Sequence, residues 1–321
     1  MLLFKTSKDI KLRAKPEVYS GPLGAEIPSI DANTDFVEGA PEFGEYHSLL
    51  AKDYIVHSKE IEYKSVDRDT FEKDGYKVVF EKVVPDEEGF VRKDLLSKIN
   101  LEESNTVVIN VATGSGKTTT VYEIIEEIIK KNDQGIIILA TPFVSLVQKD
   151  HKTLRDEYGI NTDIITNYKD LADVLSVYDG IITMDSQKWN IINNYIVNKR
   201  IHITTINGLL RNPGEVAFLQ KADKSDYFNG LIEYCKHEEK IVYLFLDEIH
   251  ASIHNFKNEY IHYLTMWKGV IYKCIVSTAT YTEPVNIVVK HLAYLTNDSI
   301  HVLESERVKS KYVSPLDLVF F

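Results

Sequence analysis

Apolar runs of strand length recur along the chain from residue 106 onward, and most of them are apolar without interruption. Continuous runs rich in Ile, Val and Leu are typical of strands that are buried on both faces of a sheet. The sequence predicts such strands at Thr106–Val111, Gly135–Ala140, Asp163–Thr166, Gly180–Met184, Ile201–Thr205, Ile241–Leu246 and Lys273–Ser277.

Segments with helical periodicity lie between several of these runs, at Thr118–Lys131, Val144–Glu157 and Ser186–Val197. Strands that alternate with helices form a central, mainly parallel sheet that helices cover on both faces. The pattern therefore predicts an α/β fold. The polar segment Asn212–Glu239 lacks strand character, and we interpret it as a helical or loop insertion before the next strand.

The first part of the chain differs from the rest in composition. Residues 1–88 are rich in Gly, Pro, Asp and Glu and carry short strand-like runs such as Tyr76–Phe80. A turn sequence follows at Pro85–Gly89. We therefore predict a small β-rich accessory domain at 1–88, the α/β domain at 89–295, and a terminal segment after residue 295 with strand-like runs of its own.

Composition limits the possible partners and the cellular compartment of the protein. The chain has 321 residues and a net charge of −11, which argues against a surface coated in basic groups, although a local groove can still hold nucleic acid. Cys235 and Cys274 lack metal-ligand spacing and favour a reducing compartment. The longest apolar stretch, Ile136–Val147, is interrupted by polar residues and Pro142, so we expect a cytoplasmic protein without a membrane span.

A glycine-rich loop follows the first predicted strand, in the sequence VVINVATGSGKTTT. Gly114 and Gly116 let backbone N–H groups turn inward around phosphate oxygens, because side chains there would block the approach. Lys117 supplies positive charge for the β- and γ-phosphates, and the Thr118 hydroxyl is placed to bind Mg²⁺. Val111 stands where the strict pattern has glycine. The predicted nucleotide-binding residues of the loop are Thr113, Gly114, Ser115, Gly116, Lys117, Thr118 and Thr119.

Two adjacent carboxylates end the predicted strand Ile241–Leu246, in the sequence LFLDEIH. Ligands bind at the carboxyl ends of strands in open α/β sheets. Asp247 is predicted to hold Mg²⁺ through water, and Glu248 to orient or deprotonate an attacking water. A kinase has to exclude water and needs no second acid there, so the pair favours a hydrolase.

Four motifs in this order resemble those of the first RecA-like domain of superfamily 2 helicases and translocases, the DExD/H group. They are Thr113–Thr118, Ala140–Gln148, Asp247–His250 (a DExH box) and Ser277–Thr280. The resemblance covers about residues 90–285. Within the superfamily, the phosphate loop and the threonine-rich segment around Thr204 and Thr205 look most like those of type I and type III restriction-enzyme motor subunits and related phage helicases. The resemblance to superfamily 2 helicases implies a RecA-like P-loop NTPase domain that uses ATP and Mg²⁺.

The resemblance also implies a nucleic-acid site formed by helix N-termini and hydroxyl groups that contact the strand backbone without reading sequence. The residues that it assigns to this site are Thr141, Pro142, Ser145, Thr204 and Thr205. Two segments fit the motif that is assigned to Thr204 and Thr205, since each is a strand that ends in threonines or polar residues before a helix. We favour the segment with Thr204 and Thr205 over Ile182–Gln187. Either segment could instead be a strand end with a helix cap.

The S-A-T-like motif, Thr278, Ala279 and Thr280, is implied to link hydrolysis to strand movement. His250 lies beside the predicted catalytic acids and can hydrogen-bond Thr278 or Thr280, which would couple the two motifs. The alternative is that His250 is a core histidine with satisfied hydrogen bonds. The predicted catalytic residues are then Lys117, Asp247, Glu248 and His250.

Two features depart from the family pattern. No glutamine precedes the loop to read adenine, and Arg92 sits where it could stack on the base, so we expect weak discrimination between ATP and GTP. The family's second RecA-like domain, which supplies arginine fingers, is expected beyond residue 321 or from another chain. The segment 296–321 is then a linker toward it, and the chain alone should hydrolyse ATP slowly.

The sequence therefore predicts the motor part of an ATP-dependent DNA helicase or translocase, in the interior of a bacterial or phage-infected cell. DNA is favoured over RNA as the partner. One alternative is a DExH RNA helicase, since the motor residues do not reveal how a 2′-hydroxyl is treated. Another is a nucleotide-dependent switch or assembly ATPase that moves no strand.

Overall fold

A computed structural model gives the fold of the chain. The residues that it describes are 11–12, 30–31, 66–132, 134–167, 170, 185–211, 218–256 and 258–305. The chain divides into two compact units, of which one comprises Met1–Tyr63 with Tyr312–Phe321 and the other Lys64–Lys311. In the first unit, Lys11–Leu12 pairs antiparallel with Ile30–Asp31. No helix within the described ranges is long and apolar enough to cross a membrane.

The second unit is built on one parallel sheet. Its strands are β1 (Lys77–Val83), β2 (Thr106–Asn110), β3 (Gly135–Thr141), β4 (Ile165–Asn167), β5 (Ile201–Thr205), β6 (Ile241–Leu246), β7 (Ile271–Thr278) and β8 (Ser299–Ser305). They lie in the order β1-β8-β2-β7-β6-β3-β5-β4, and every neighbouring pair is parallel. The predicted α/β fold with a mainly parallel sheet is thus confirmed. The predicted strand Gly180–Met184 lies outside the described residues.

Helices cover both faces of the sheet. They are α1 (Arg68–Glu72), α2 (Arg92–Lys98), α3 (Lys117–Lys131), α4 (Val144–Asp156), α5 (Asp185–Val197), α6 (Ile206–Leu209), α7 (Phe218–His237), α8 (Asn258–Thr265) and α9 (Glu283–Leu295), with a 3₁₀ helix at Ile249–Asn255. The predicted insertion at 212–239 therefore contains the helix α7.

Successive side chains of a strand point to opposite faces of the sheet and belong to two hydrophobic clusters, one on each face. In β2, Val107 and Ile109 join the cluster under α2, α3 and α4, and Val108 joins the cluster under α7, α8 and α9. All five residues of β2 are buried. Burial on both faces explains why this strand is an uninterrupted apolar run.

The sheet extends past both predicted ends of the α/β domain. β1 falls within the segment assigned to the accessory domain, yet it pairs with β8. β8 falls within the predicted linker 296–321, yet it lies between β1 and β2. β1 is an edge strand with only partial burial, so its apolar signal is weak, and polar residues interrupt the apolar run of β8. Residues 1–65, apart from the short pair above, and residues 306–321 lie outside the described part.

A buried hydrogen bond joins α3 to α4. The Tyr122 hydroxyl donates to Asp150 Oδ1 at 2.6 Å, and both side chains are almost completely inaccessible. The ring of Tyr158, just beyond α4, meets the Tyr122 ring edge-on at 5.5 Å. Burial raises the pKa of Asp150 to about 6 and also raises the pKa of Tyr122.

The integration of β8 into the core can be tested by truncating a buried side chain. Leu303 is fully buried in the cluster under α2, α3 and α4. We expect Leu303→Ala to lower the free energy of unfolding by about 2–5 kcal/mol, because it removes apolar burial and leaves a cavity. Ile287→Ala, at an exposed position of α9, is the control and should cost less than about 0.5 kcal/mol in urea unfolding. Equal stabilities of the two variants would contradict the placement of β8.

The raised pKa of Asp150 predicts a pH-dependent contribution to stability. Between pH 4 and 6 the unfolded carboxyl is ionised while the folded one stays protonated, so the folded state binds more protons. The contribution of Asp150 to stability therefore falls as pH rises through this window, by about 3 kcal/mol in total. Asp150→Asn keeps an acceptor for Tyr122 but cannot ionise. The difference in urea-unfolding free energy between variant and wild type should shift in favour of the variant from pH 4 to pH 7, and a constant difference would refute the account.

Candidate functional site

The glycine-rich loop lies between β2 and α3, at the carboxyl edge of the sheet. Gly114 and Gly116 adopt left-handed backbone dihedrals, with φ of +77° and +93°, which residues with a Cβ rarely adopt. Gly116 is also the residue that precedes the first turn of α3. The loop is held from outside by the Val91 backbone N–H, which donates to the Ser115 carbonyl at 2.9 Å. The loop conformation therefore depends on both glycines.

Lys117 is folded into the concave side of this loop. Its Nζ donates to the carbonyl oxygens of Val111 and Ala112 at 3.1 and 3.0 Å, and lies 3.9 Å from Glu248 Oε1. The side chain is only 4% exposed, whereas Thr113 and Thr119 are exposed on either side of it. A buried ammonium group is thus placed where the loop would surround a phosphate.

Asp247, the first residue after β6, is the point at which three motifs meet. Its Oδ2 accepts from the Thr118 hydroxyl at 3.3 Å, and its Oδ1 accepts from the Ser277 hydroxyl and from the Glu248 backbone N–H. Asp247 is 7% exposed, so its charge depends on these donors rather than on water. Its own N–H donates to the Ala140 carbonyl of β3 at 3.0 Å, which fixes the backbone.

Glu248 has a left-handed backbone, with φ of +46°, although it is not glycine. Such a conformation costs on the order of 1–3 kcal/mol in a residue that carries a Cβ. It turns the chain from β6 into the 3₁₀ helix and brings Glu248 Oε2 to 3.3 Å from His250 Nδ1. The carboxylate of Glu248 therefore lies between Lys117 and His250.

His250 contacts the S-A-T-like motif. Its Nδ1 lies 3.1 Å from Thr278 Oγ1, while the Thr278 hydroxyl donates to the Thr280 carbonyl at 2.9 Å. Because the only hydroxyl proton of Thr278 is used in that bond, the bond to His250 requires a proton on Nδ1. Ala279 between the two threonines is buried. The DExH segment and the end of β7 are thus physically joined.

Arg92 lies beside the loop but is engaged elsewhere. Its Nε and Nη2 both face the carboxylate of Glu123 on α3, in a two-pronged ion pair. About half of the Arg92 side chain remains exposed. This pairing has no local signal in the sequence, since the two residues lie 31 positions apart.

The residues expected to contact nucleic acid lie at the neighbouring strand ends. Thr141 of β3 and Thr205 of β5 are direct partners in register. Thr141 is buried and its hydroxyl donates to the Phe143 carbonyl, whereas Ser145 is exposed in the first turn of α4. Thr204 is buried, and its hydroxyl donates to the Thr205 carbonyl at 3.3 Å. Pro142 is also buried.

Thr205 acts as a helix cap. Its Oγ1 accepts from the Gly208 backbone N–H at 3.0 Å and begins α6. A Cβ at Gly208 would lie 2.5 Å from Thr204 Oγ1, so glycine is required there. This arrangement matches the alternative in which the threonine pair ends a strand and caps a helix.

Ser277 was not singled out by the sequence. It directly precedes the S-A-T-like motif Thr278–Thr280 and belongs to a buried strand, so in the sequence it is only a polar residue at the end of an apolar run. Within the described residues, no group of three or more His, Cys, Asp or Glu side chains is arranged to hold a metal ion. A cation here would take Thr118 and Asp247 oxygens and complete its shell with water and phosphate, as Mg²⁺ does.

Similar solved structures are helicases, at low identity. The DUF1998 helicase MrfA bound to DNA and AMPPNP is 17% identical over 75% of this chain and 34% of its own, with a TM-score of 0.39. A hypothetical ATP-dependent RNA helicase from Sulfolobus tokodaii is 17% identical over 74% of this chain and 56% of its own, with a TM-score of 0.40. The UvsW helicase from bacteriophage T4 is 11% identical over 76% of this chain and 70% of its own, with a TM-score of 0.39.

The chain spans about a third to just over half of the length of the first two of these structures. No curated protein sequence matches it. The family model described as "Type III restriction enzyme, res subunit" matches residues 85–283, from just after β1 to the start of α9. Because this match spans more than half of the chain, the chain belongs to the type III restriction enzyme res-subunit family, and its parallel α/β unit is a superfamily 2 helicase RecA-like domain.

Proposed function

We propose that this chain is the motor part of an ATP-dependent DNA helicase or translocase of the DExH type. The observation that supports the proposal most is the convergence on Asp247 of hydroxyls from the phosphate loop and from Ser277, the residue directly before the S-A-T-like motif. The bond to Ser277 joins the predicted nucleotide site to the end of β7, as a coupling of hydrolysis to strand movement requires. The family assignment favours DNA as the nucleic acid, because restriction enzymes act on DNA.

The loop is the proposed phosphate cradle. Lys117 would exchange its bonds to the Val111 and Ala112 carbonyls for the β- and γ-phosphates of ATP. A hydroxyl and a carboxylate are suitable Mg²⁺ ligands, and Thr118 and Asp247 present them 3.3 Å apart. When bound, the ion would neutralise charge on the phosphates. Arg92, held by Glu123, remains the proposed neighbour of the base.

Glu248 is the proposed residue that orients or deprotonates water. The left-handed turn at Glu248 directs its carboxylate toward the loop, within 3.9 Å of Lys117. His250 then connects Glu248 to Thr278, so that a change at the γ-phosphate position can move the end of β7. This connection is the proposed route from hydrolysis to strand movement.

The nucleic-acid backbone is proposed to run along the ends of β3 and β5, over Thr141, Ser145 and Thr205. Thr205 can donate its hydroxyl proton outward, since its oxygen lone pair already accepts from Gly208. The proposal includes a second RecA-like domain, in cis or from another chain, that supplies the arginine for transition-state charge. It also assigns the residues before Lys64 to an accessory domain.

The proposal predicts a division between binding and turnover. Glu248→Gln should keep ATP affinity while turnover falls at least about 100-fold, because the residue acts on water rather than on the nucleotide. Lys117→Ala should weaken ATP binding itself, since the loop loses its cation. Phosphate release and binding of a fluorescent nucleotide would be measured with single-stranded DNA, duplex DNA, RNA or no nucleic acid.

Glu127→Gln is the matched control, because Glu127 pairs with Lys131 at the far end of α3, away from the phosphate loop. It should leave both measurements unchanged. Stimulation by RNA alone would favour an RNA helicase, and turnover that no nucleic acid stimulates, with a second RecA-like domain present, would favour a switch. Normal hydrolysis by both Glu248→Gln and Lys117→Ala would show that the site is assigned wrongly.

A further inference from the structure

An exposed aromatic residue stands beside the proposed nucleic-acid edge. Phe143, between β3 and α4, is 55% exposed, and the next residue, Val144, is 62% exposed. Single exposed apolar residues are common on protein surfaces, but adjacent ones form a patch, and apolar patches mark interaction sites. Tyr294, another exposed ring, has the ammonium group of Lys268 over its face. Within the described ranges, no ring or cation stacks on Phe143.

The backbone that carries this ring is fixed. The Phe143 carbonyl accepts from the backbone N–H groups of Leu146 and Val147 at 3.0 and 3.2 Å, and from the Thr141 hydroxyl at 3.5 Å. No side chain caps α4 at this position. The ring is therefore presented to solvent by a short connection whose backbone is hydrogen-bonded to the first turn of α4, and such an anchored backbone lowers the entropy that binding a partner would cost.

Positive charge follows the ring along the same helix. Ser145, Lys149 and Lys152 are all exposed and are spaced by four and three residues, so they share one face of α4. Neither lysine makes an ion pair with another residue in the described part of the chain. Asp156 continues this face four residues beyond Lys152 and is paired with Arg155, so the face keeps a net positive charge in a protein whose net charge is −11.

An aromatic platform next to a row of cations fits one class of partner. Bases of a single strand have free faces that stack on aromatic rings, while their phosphates pair with lysines along a groove. A duplex hides its base faces, and a protein partner would not require the cations. Thr141 and Thr205, at the ends of β3 and β5, lie next to each other in register beside this ring, where the backbone of the same strand is proposed to run.

We propose that Phe143 is a base-stacking residue that holds single-stranded nucleic acid at the start of α4, with Lys149 and Lys152 pairing with its phosphates. This inference rests on the proposed function and goes beyond its backbone contacts. It predicts that the protein binds single strands more tightly than blunt duplexes, and that this difference in affinity depends on the side chain of Phe143.

The test measures affinity for a fluorescent thymidine oligonucleotide of about 16 nucleotides and for a blunt duplex of the same length. Phe143→Ala should bind the single strand about 10-fold more weakly and the duplex as tightly as wild type does, because only unpaired bases stack. Phe143→Tyr should restore the affinity. Tyr294→Ala, which removes an exposed ring of α9, is the matched control and should bind as wild type does.

The contributions of the lysines and of the ring to binding can be distinguished by the salt dependence of the affinity. Lys149→Gln combined with Lys152→Gln should reduce the slope of log affinity against log salt by about 1.4 for the single strand, whereas Phe143→Ala should leave the slope unchanged. Thermal unfolding midpoints and nucleotide affinity should be the same in all variants, since these side chains are exposed.

Two results would overturn the inference while leaving the proposed function intact: unchanged single-strand affinity in Phe143→Ala, or equal losses for single strand and duplex. If wild type bound neither DNA nor RNA, the proposed function would fail and the stacking role with it. Quenching of a tryptophan placed by Phe143→Trp on addition of the single strand, but not of the duplex, would support stacking directly.

Discussion

The buried carboxylate of Asp247 is the constraint on which the site depends. A charged group that is 7% exposed is stable only where donors replace water, and here the donors are hydroxyls of Thr118 and Ser277 and one backbone N–H. These groups come from three separate places in the sequence. Any arrangement of the strands that separated them would leave the carboxylate unsatisfied, so the local chemistry and the global fold require each other.

The parallel sheet brings the donors to Asp247 together at one edge. Its register pairs Asn110 of β2 with Thr278 of β7, and Leu246 of β6 with Val276 of β7, so the residues that follow β2 and β6 arrive level with the end of β7. β3 and β5 end at the same edge, which places the proposed nucleic-acid contacts beside the nucleotide site. The bond from Tyr122 to Asp150 then ties the helix that begins at the phosphate loop to the helix that begins at Phe143.

The sequence predicted the central strands and the loop because their signals are local. A strand that is buried on both faces is a continuous apolar run, and the phosphate loop needs its glycines and lysine within a few residues. β1 and β8 were assigned elsewhere because an edge strand and a strand with polar ends lack that run. The ion pair of Arg92 with Glu123 and the bond of Ser277 to Asp247 join residues 31 and 30 positions apart, and only the folded chain shows such contacts.

The central claim is that the Asp247 network prepares a cation site for a nucleotide, and Ser277→Ala tests it most directly. Calorimetric titration of ATP would be compared with and without Mg²⁺ in wild type and in Ser277→Ala. We expect the variant to lose roughly 10-fold in affinity for ATP with Mg²⁺, equivalent to one hydrogen bond to a charged group, and to match wild type when Mg²⁺ is absent. An unchanged affinity in both conditions, or an equal loss in both, would contradict the account.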